Sequence, residues 1–198
     1  MGELSSDPSL VVISLPIDYW DYLGWKDTLA NPLNSALQRG YARTRGDRDV
    51  YTPQVVVNGS VHTLGSDRAA IERALVQTRH EGEVLSLPVT LAIADGKLSV
   101  AVESGDAAQK DAEVWLCELS RSVAVTIERG ENRGRTITYH NVARHWLKLG
   151  NWTGTANTWT IPVSELKSNG ADAAAVLIQA GTAANPGPVL GAAETSLR

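Results

Sequence analysis

One cysteine among 198 residues leaves no partner for an internal disulfide. It also excludes a CxxC redox pair and a four-cysteine metal site within this chain. Phenylalanine is absent, so six Trp and five Tyr carry all the aromatic surface. Charge is sparse as well. Charged residues make up 20%, with 18 Lys+Arg against 22 Asp+Glu, a net charge of -4 and a pI of about 5.6. That balance lacks the basic footprint of a nucleic-acid binder. No apolar run approaches the roughly 18–20 residues of a membrane-spanning helix. Residues 1–8 have neither a basic start nor an apolar stretch of roughly 7–15 residues, so they do not read as a secretory leader. What is present is a 43% hydrophobic fraction, too high for a disordered chain. The length fits one domain or two small ones.

The first half alternates between strand and helix signals. Residues 10–15 (Leu, Val, Val, Ile, Ser, Leu) are a short, mostly apolar run, suited to a strand buried on both faces. A helix follows, with Leu29, Leu33, Leu37 and Tyr41 expected to mark its buried face. Asn31 before Pro32 reads as an N-cap with proline at the first helical position. Residues 50–57 are β-branched, with Pro53 near the start. Asn58-Gly59 is a strong hairpin signal because both residues tolerate positive φ. Residues 60–64 return as a strand. Gly65-Ser66-Asp67 then opens a second helix whose stripe is Ala70, Ile71, Ala74 and Leu75. The pattern to residue 80 is therefore β-α-β-β-α.

From residue 83 the texture changes. Residues 85–93 alternate, and Asp95-Gly96 turns the chain into residues 97–102. Further strands are expected at 113–119, 123–128, 143–149, 158–163 and 174–179, with turn residues between most of them. Residues 181–191, rich in Ala, Gly and Pro, read as a loop before a final edge strand. Many short strands at short intervals indicate an antiparallel sandwich or meander. The fold class is thus α/β plus β, with one domain over residues 1–82 and a β-rich domain over 83–198.

Three places hold candidate chemistry. Residues 18–27 follow the first strand and combine Asp18, Asp21 and Asp27 with Tyr19, Trp20, Tyr22 and Trp25. In open α/β sheets ligands gather at the C-terminal ends of strands, and aromatics with polar ends suit peptide recognition. One reading is a substrate-binding lip that includes Trp20, Asp21 and Trp25. The other is a packed loop with a Trp in the core and the acids solvated or capping. Residues 128–135 carry Glu128, Arg129, Glu131, Arg133 and Arg135 around two glycines. They lack the Lys-Ser/Thr ending of a phosphate loop and read as a solvated turn. His140 and His145 are five apart, which in a regular strand puts them on opposite faces. His140 reads as a hydrogen-bonded structural residue rather than a ligand or base, and His62 and His80 as exposed. No metal site and no GxSxG nucleophile elbow is read, so no cofactor is expected. Cys117, between Leu116 and Glu118 in a strand, reads as a buried apolar filler.

The run Thr52-Pro53-Gln54-Val55-Val56-Val57-Asn58-Gly59, followed by a strand, Gly65 and a helix, resembles the second half of a thioredoxin or glutaredoxin fold. More specifically, the chain resembles a family of mostly bacterial, exported proteins of unknown function with a thioredoxin-like fold. The decapeptide from Asp18 to Asp27, Tyr51-Thr52-Pro53-Gln54, Val57-Asn58-Gly59, Gly65-Ser66-Asp67-Arg68, residues 130–135 and Tyr139-His140-Asn141-Val142 carry the likeness. The resemblance implies a cis bond before Pro53, with Thr52 and Pro53 offering backbone groups to an extended peptide or protein thiol substrate. It also implies a periplasmic or secreted protein, the parent being a thiol–disulfide oxidoreductase. The alternative is a non-catalytic module that binds a peptide or an envelope protein. The family's first strand and CxxC helix start have no counterpart here. Residues 10–15 and 53–57 would then each lack a strand partner, through a gene start placed too late, a cut chain or a strand supplied by another chain.

Overall fold

The two helices begin where short polar side chains take their first free amides. In the computed structural model, which describes residues 2–105, 112–130, 132–167 and 170–198, α1 spans Pro32–Arg45. Asn31 Oδ1 accepts from Leu33 N at 2.9 Å, and Gly46 ends the helix at φ 79°, a conformation that favours glycine. The second helix, α2, spans Arg68–Arg79, and Asp67 caps it by accepting from Ala70 N at 2.9 Å. Between them β1 (Gln54–Val57) and β2 (Val61–Leu64) form an antiparallel pair. Asn58 and Gly59 make their turn with φ 48° and 76°.

The other described strands form two antiparallel sheets. β3 (Val89–Ala94), β4 (Lys97–Val102) and β7 (Asn157–Pro162) lie in the order β3-β4-β7. β5 (Ala112–Thr126), β6 (Thr136–Trp152), β8 (Ala173–Thr182) and β9 (Asn185–Ser196) lie in the order β6-β5-β8-β9. One apolar core draws on both sheets: Leu98, Val100 and Val102 of β4 and Ile161 of β7 join Val114, Leu116, Val176, Ile178 and Leu190 of the larger sheet. Each such side chain withdrawn from water contributes about 1.5–3 kcal/mol. The molecule is mostly antiparallel β-sheet with few helices, and no described helix is long and apolar enough to cross a membrane.

Several expectations need correction. Residues 10–15 do not form a strand buried on both faces. They stay half-buried and make one parallel bridge, Ser14 to Val142 of β6, with Ser14 N donating to Asn141 O at 2.8 Å. Val11, Ile13 and Leu15 pack on Cys117, Leu119, Ala143, Ala173 and Ala175. The four-residue spacing places only part of the buried face of α1: Tyr41 is buried and Leu37 half-buried. Leu29 precedes the helix and Leu33 is 65% exposed, whereas Asn34, Ser35, Gly40, Tyr41 and Ala42 are buried. A strict i+4 series drifts about 40° around the helix at each step, so it crosses the contact stripe, from the exposed Leu33 to the buried Tyr41, rather than following it.

The expected strands at 113–119 and 123–128 are one strand, β5. Ser120 and Arg121 look like a turn in sequence. In the fold Ser120 Oγ donates to Gly170 O at 2.9 Å and Arg121 N to Asp172 Oδ1 at 2.9 Å, which keeps the backbone extended. The strand expected at 143–149 likewise grows to the full length of β6. Most of residues 181–191 is strand β9 rather than loop. Its prolines are tolerated because β9 is an edge strand, and Gly191 admits the Leu87 carbonyl, which lies 2.5 Å from where a Cβ would stand.

The N-terminal elements bond directly to the β8–β9 hairpin. Val189 N donates to Asn58 O at 2.9 Å, Arg43 to Ala184 O at 2.7 Å, and Gln179 Nε2 to the buried Tyr41 hydroxyl at 2.6 Å.

Candidate functional site

Two of the singled-out stretches meet. The indole Nε1 of Trp20 donates to Thr52 Oγ1 at 2.9 Å, which fixes the aromatic loop over the start of β1. The Thr52–Pro53 peptide bond is cis, and both residues are exposed. Pro53 O accepts from Gly65 N at 2.8 Å, so it faces β2. By the alternation of an antiparallel pair, the backbone groups of Gln54 and Val56 face the other way. On that side β1 pairs with no strand among the described residues. The backbone N–H and C=O of Thr52 also have no partner among the described residues.

The loop is held by its polar ends while its rings stay outside. Trp20 is 45% and Tyr22 76% exposed, so Trp20 is not a core residue, and Trp25 is only half-buried. Tyr19, Trp20 and Tyr22 form a ladder with centroids 5.5 and 6.3 Å apart. Tyr19 Oη donates to Gln38 Oε1 at 2.9 Å, and the Arg39 guanidinium lies 5.8 Å from the Tyr19 ring centre. The acids serve the loop itself. Asp18 Oδ1 accepts from Ser35 Oγ at 2.5 Å, and Asp21 Oδ1 from Asp27 N at 3.3 Å. Asp27 accepts from Leu29 N at 2.9 Å and from Tyr139 Oη at 2.8 Å. Burial, followed by the Asp27 carboxylate, pushes the Tyr139 phenol up to about 12.

A polar chain behind the loop had no local signal in the sequence. Gln38 Nε2 donates to Tyr51 O at 2.9 Å and Gln54 Oε1 at 3.0 Å. The Tyr51 hydroxyl and His62 Nδ1 are 2.9 Å apart, and Asp47 Oδ2 lies 3.8 Å from His62 Nε2. His62 is therefore half-buried and bonded, not exposed as expected. His80 is exposed. Gln38 comes from α1, Tyr51 from the loop before β1 and His62 from β2, and only the fold joins them.

The other candidates fall elsewhere. The charged turn closes through Ile127 N to Arg135 O at 2.9 Å and Arg133 N to Gly130 O at 3.2 Å, with Glu131 outside the described residues. Its Gly130 lies against Trp25 and the Leu23 carbonyl. His140 is half-buried, and its carbonyl accepts from Ser14 Oγ at 2.6 Å. His145 lies 3.2 Å from the buried Glu118 carboxylate. Among the described residues no group of three or more His, Cys, Asp or Glu is placed to hold a metal. Cys117 is fully buried, and that burial, then the Glu118 charge, raises its thiol well above the usual range. It is thus neither accessible nor ionised as a nucleophile must be.

Comparison with known proteins is sparse. The model of a family described as a protein of unknown function, DUF1223, matches residues 1–179. No curated protein matches the chain. The crystal structure of a protein from Agrobacterium tumefaciens is similar, with 29% identity and a TM-score of 0.84 over 97% of this chain and 82% of that one.

Proposed function

The chain belongs to the DUF1223 family of proteins of unknown function, and for this member we propose a non-catalytic role: binding an extended peptide segment along Thr52, Pro53 and the aromatic loop. The observation that carries this reading is the Trp20–Thr52 hydrogen bond of 2.9 Å. It sets an exposed, immobilised indole beside backbone groups that have no partner among the described residues. Free backbone groups supply affinity to an extended ligand, and neighbouring side chains supply selectivity. Trp20 and Trp25 would form the lip, with Asp21 between them.

We read residues 1–82 as a thioredoxin-like unit and residues 83–198 as a β-sandwich-like unit. The order α1-β1-β2-α2 supports the first assignment, and the core common to two antiparallel sheets supports the second. On the same reading the protein is periplasmic or secreted. A second reading, thiol–disulfide exchange, belongs to a parent that carries the cysteine pair. The buried Cys117 leaves this chain without an attacking thiol.

The test is calorimetric titration of the full chain with an uncharged, β-prone Thr/Val/Ser peptide. Binding is expected, and Trp20→Ala is expected to weaken it about tenfold through loss of one aromatic contact. Absence of binding, or binding indifferent to Trp20→Ala, refutes the assignment.

A further inference from the structure

Among the described residues, the aromatic ladder of residues 19–22 has a cation on one of its three rings, Tyr19. Arg39 covers Tyr19 with its guanidinium 5.8 Å from the ring centre. The next two rings, Trp20 and Tyr22, are 45% and 76% exposed. Trp20 is held by Thr52 through its Nε1, so its ring face is presented in a fixed position. A tryptophan face is the best aromatic partner for a cation, because the ring quadrupole is negative above its plane. The loop's charge has the matching sign: residues 18–27 hold Asp18, Asp21 and Asp27 against Lys26 alone, and Asp21 stands between the two exposed rings in sequence.

We propose that Trp20 and Tyr22 stack an arginine side chain of the bound peptide, in the way Arg39 already lies on Tyr19. This rests on the peptide-binding reading above and names the chemical class of its ligand, an extended segment with a guanidinium near the residue opposite Thr52. The charged turn approaches the loop elsewhere, where Gly130 lies near Trp25 Cβ and the Leu23 carbonyl.

The test uses the full chain and the same uncharged peptide in three versions, with arginine, citrulline or glutamate at one position moved along its length. Citrulline keeps the shape of arginine and removes the charge. The arginine version is expected to bind about two- to fivefold tighter than the citrulline version at one position, as an exposed cation–π contact allows. Tyr22→Leu and Trp20→Leu are each expected to lower that ratio, and the double variant to bring it close to one. Equal binding of arginine and citrulline versions overturns the cation site and leaves the peptide site standing. So does tightest binding of the glutamate version, or a ratio that survives both Tyr22→Leu and Trp20→Leu. If no version binds, the peptide-site reading itself fails and this inference falls with it.

Discussion

Tyr139 shows how a single side chain joins two distant parts of this sequence. Its hydroxyl donates to Asp27 at 2.8 Å across 112 positions, tying the aromatic loop to β6. Neither residue carries a signal for the other in sequence: Tyr139 lies in a four-residue run that carries the family likeness, and Asp27 is one of three acids in a loop. Because the folded phenol is raised to about 12 from 10.0, the folded state holds this proton longer than the unfolded chain. The stabilisation is complete below the unfolded value and is lost as pH rises through the folded one. Wild-type stability to urea is therefore expected to fall between pH 10.0 and about 12. Tyr139→Phe should flatten that fall and cost about 1 kcal/mol at neutral pH, the worth of one hydrogen bond. A variant that keeps the full alkaline slope would locate the titration elsewhere. The Trp20–Thr52 contact is legible in the opposite sense. Both stretches stood out as candidates, but nothing in either one told that the indole would reach the threonine.

At the scale of elements, caps and turns were readable because they are local. Asn31-Pro32, Asp67, Asn58-Gly59 and Asp95-Gly96 act within four residues of themselves, and all do in the fold what their chemistry requires. Burial was less readable because it depends on what arrives from far away. In α1 the exposed Leu33 and the buried Asn34 reverse the hydrophobic rule: Asn34 Nδ2 donates to Pro16 O at 2.9 Å, while Leu33 stays 65% exposed. Gly40 gives the sharpest case. In helix propensity alone, Gly40→Ala should stabilise by about 1 kcal/mol. Yet a Cβ at Gly40 would stand 2.9 Å from Pro186 Cδ and 3.2 Å from the Ala183 and Ala184 carbonyl oxygens. Two of those three atoms belong to the backbone and cannot rotate away. Overpacking of this kind costs about 1–3 kcal/mol, so Gly40→Ala is expected to lower the urea midpoint on balance. A raised midpoint would mean that the β8–β9 turn yields freely to the helix.

Over the whole molecule, the sequence changes texture near residue 82, but the bonding does not stop there. Val189 reaches back to Asn58, Gln179 to Tyr41 and Ala184 to Arg43, while residues 10–15 lie on β5, β6 and β8. The N-terminal elements thus rest on one face of the larger sheet, and β3-β4-β7 share the core on the other. These contacts include buried groups whose release is expensive. Losing Gln179 would leave the Tyr41 hydroxyl, already raised in pKa by burial, without its donor, at about 1–3 kcal/mol. If the two halves depend on one another to this degree, they must unfold together. The probes separate them well: α1 and α2 supply the helical circular dichroism, whereas four of the six tryptophans (Trp115, Trp146, Trp152 and Trp159) lie in the β-rich half. Urea denaturation followed by ellipticity and by tryptophan fluorescence is expected to give one midpoint and one slope, the mark of a two-state transition. Helical signal lost well before the fluorescence change would instead make the α1-β1-β2-α2 layer a separately melting unit. The change in composition at residue 82 would then mark a boundary of stability as well as of sequence.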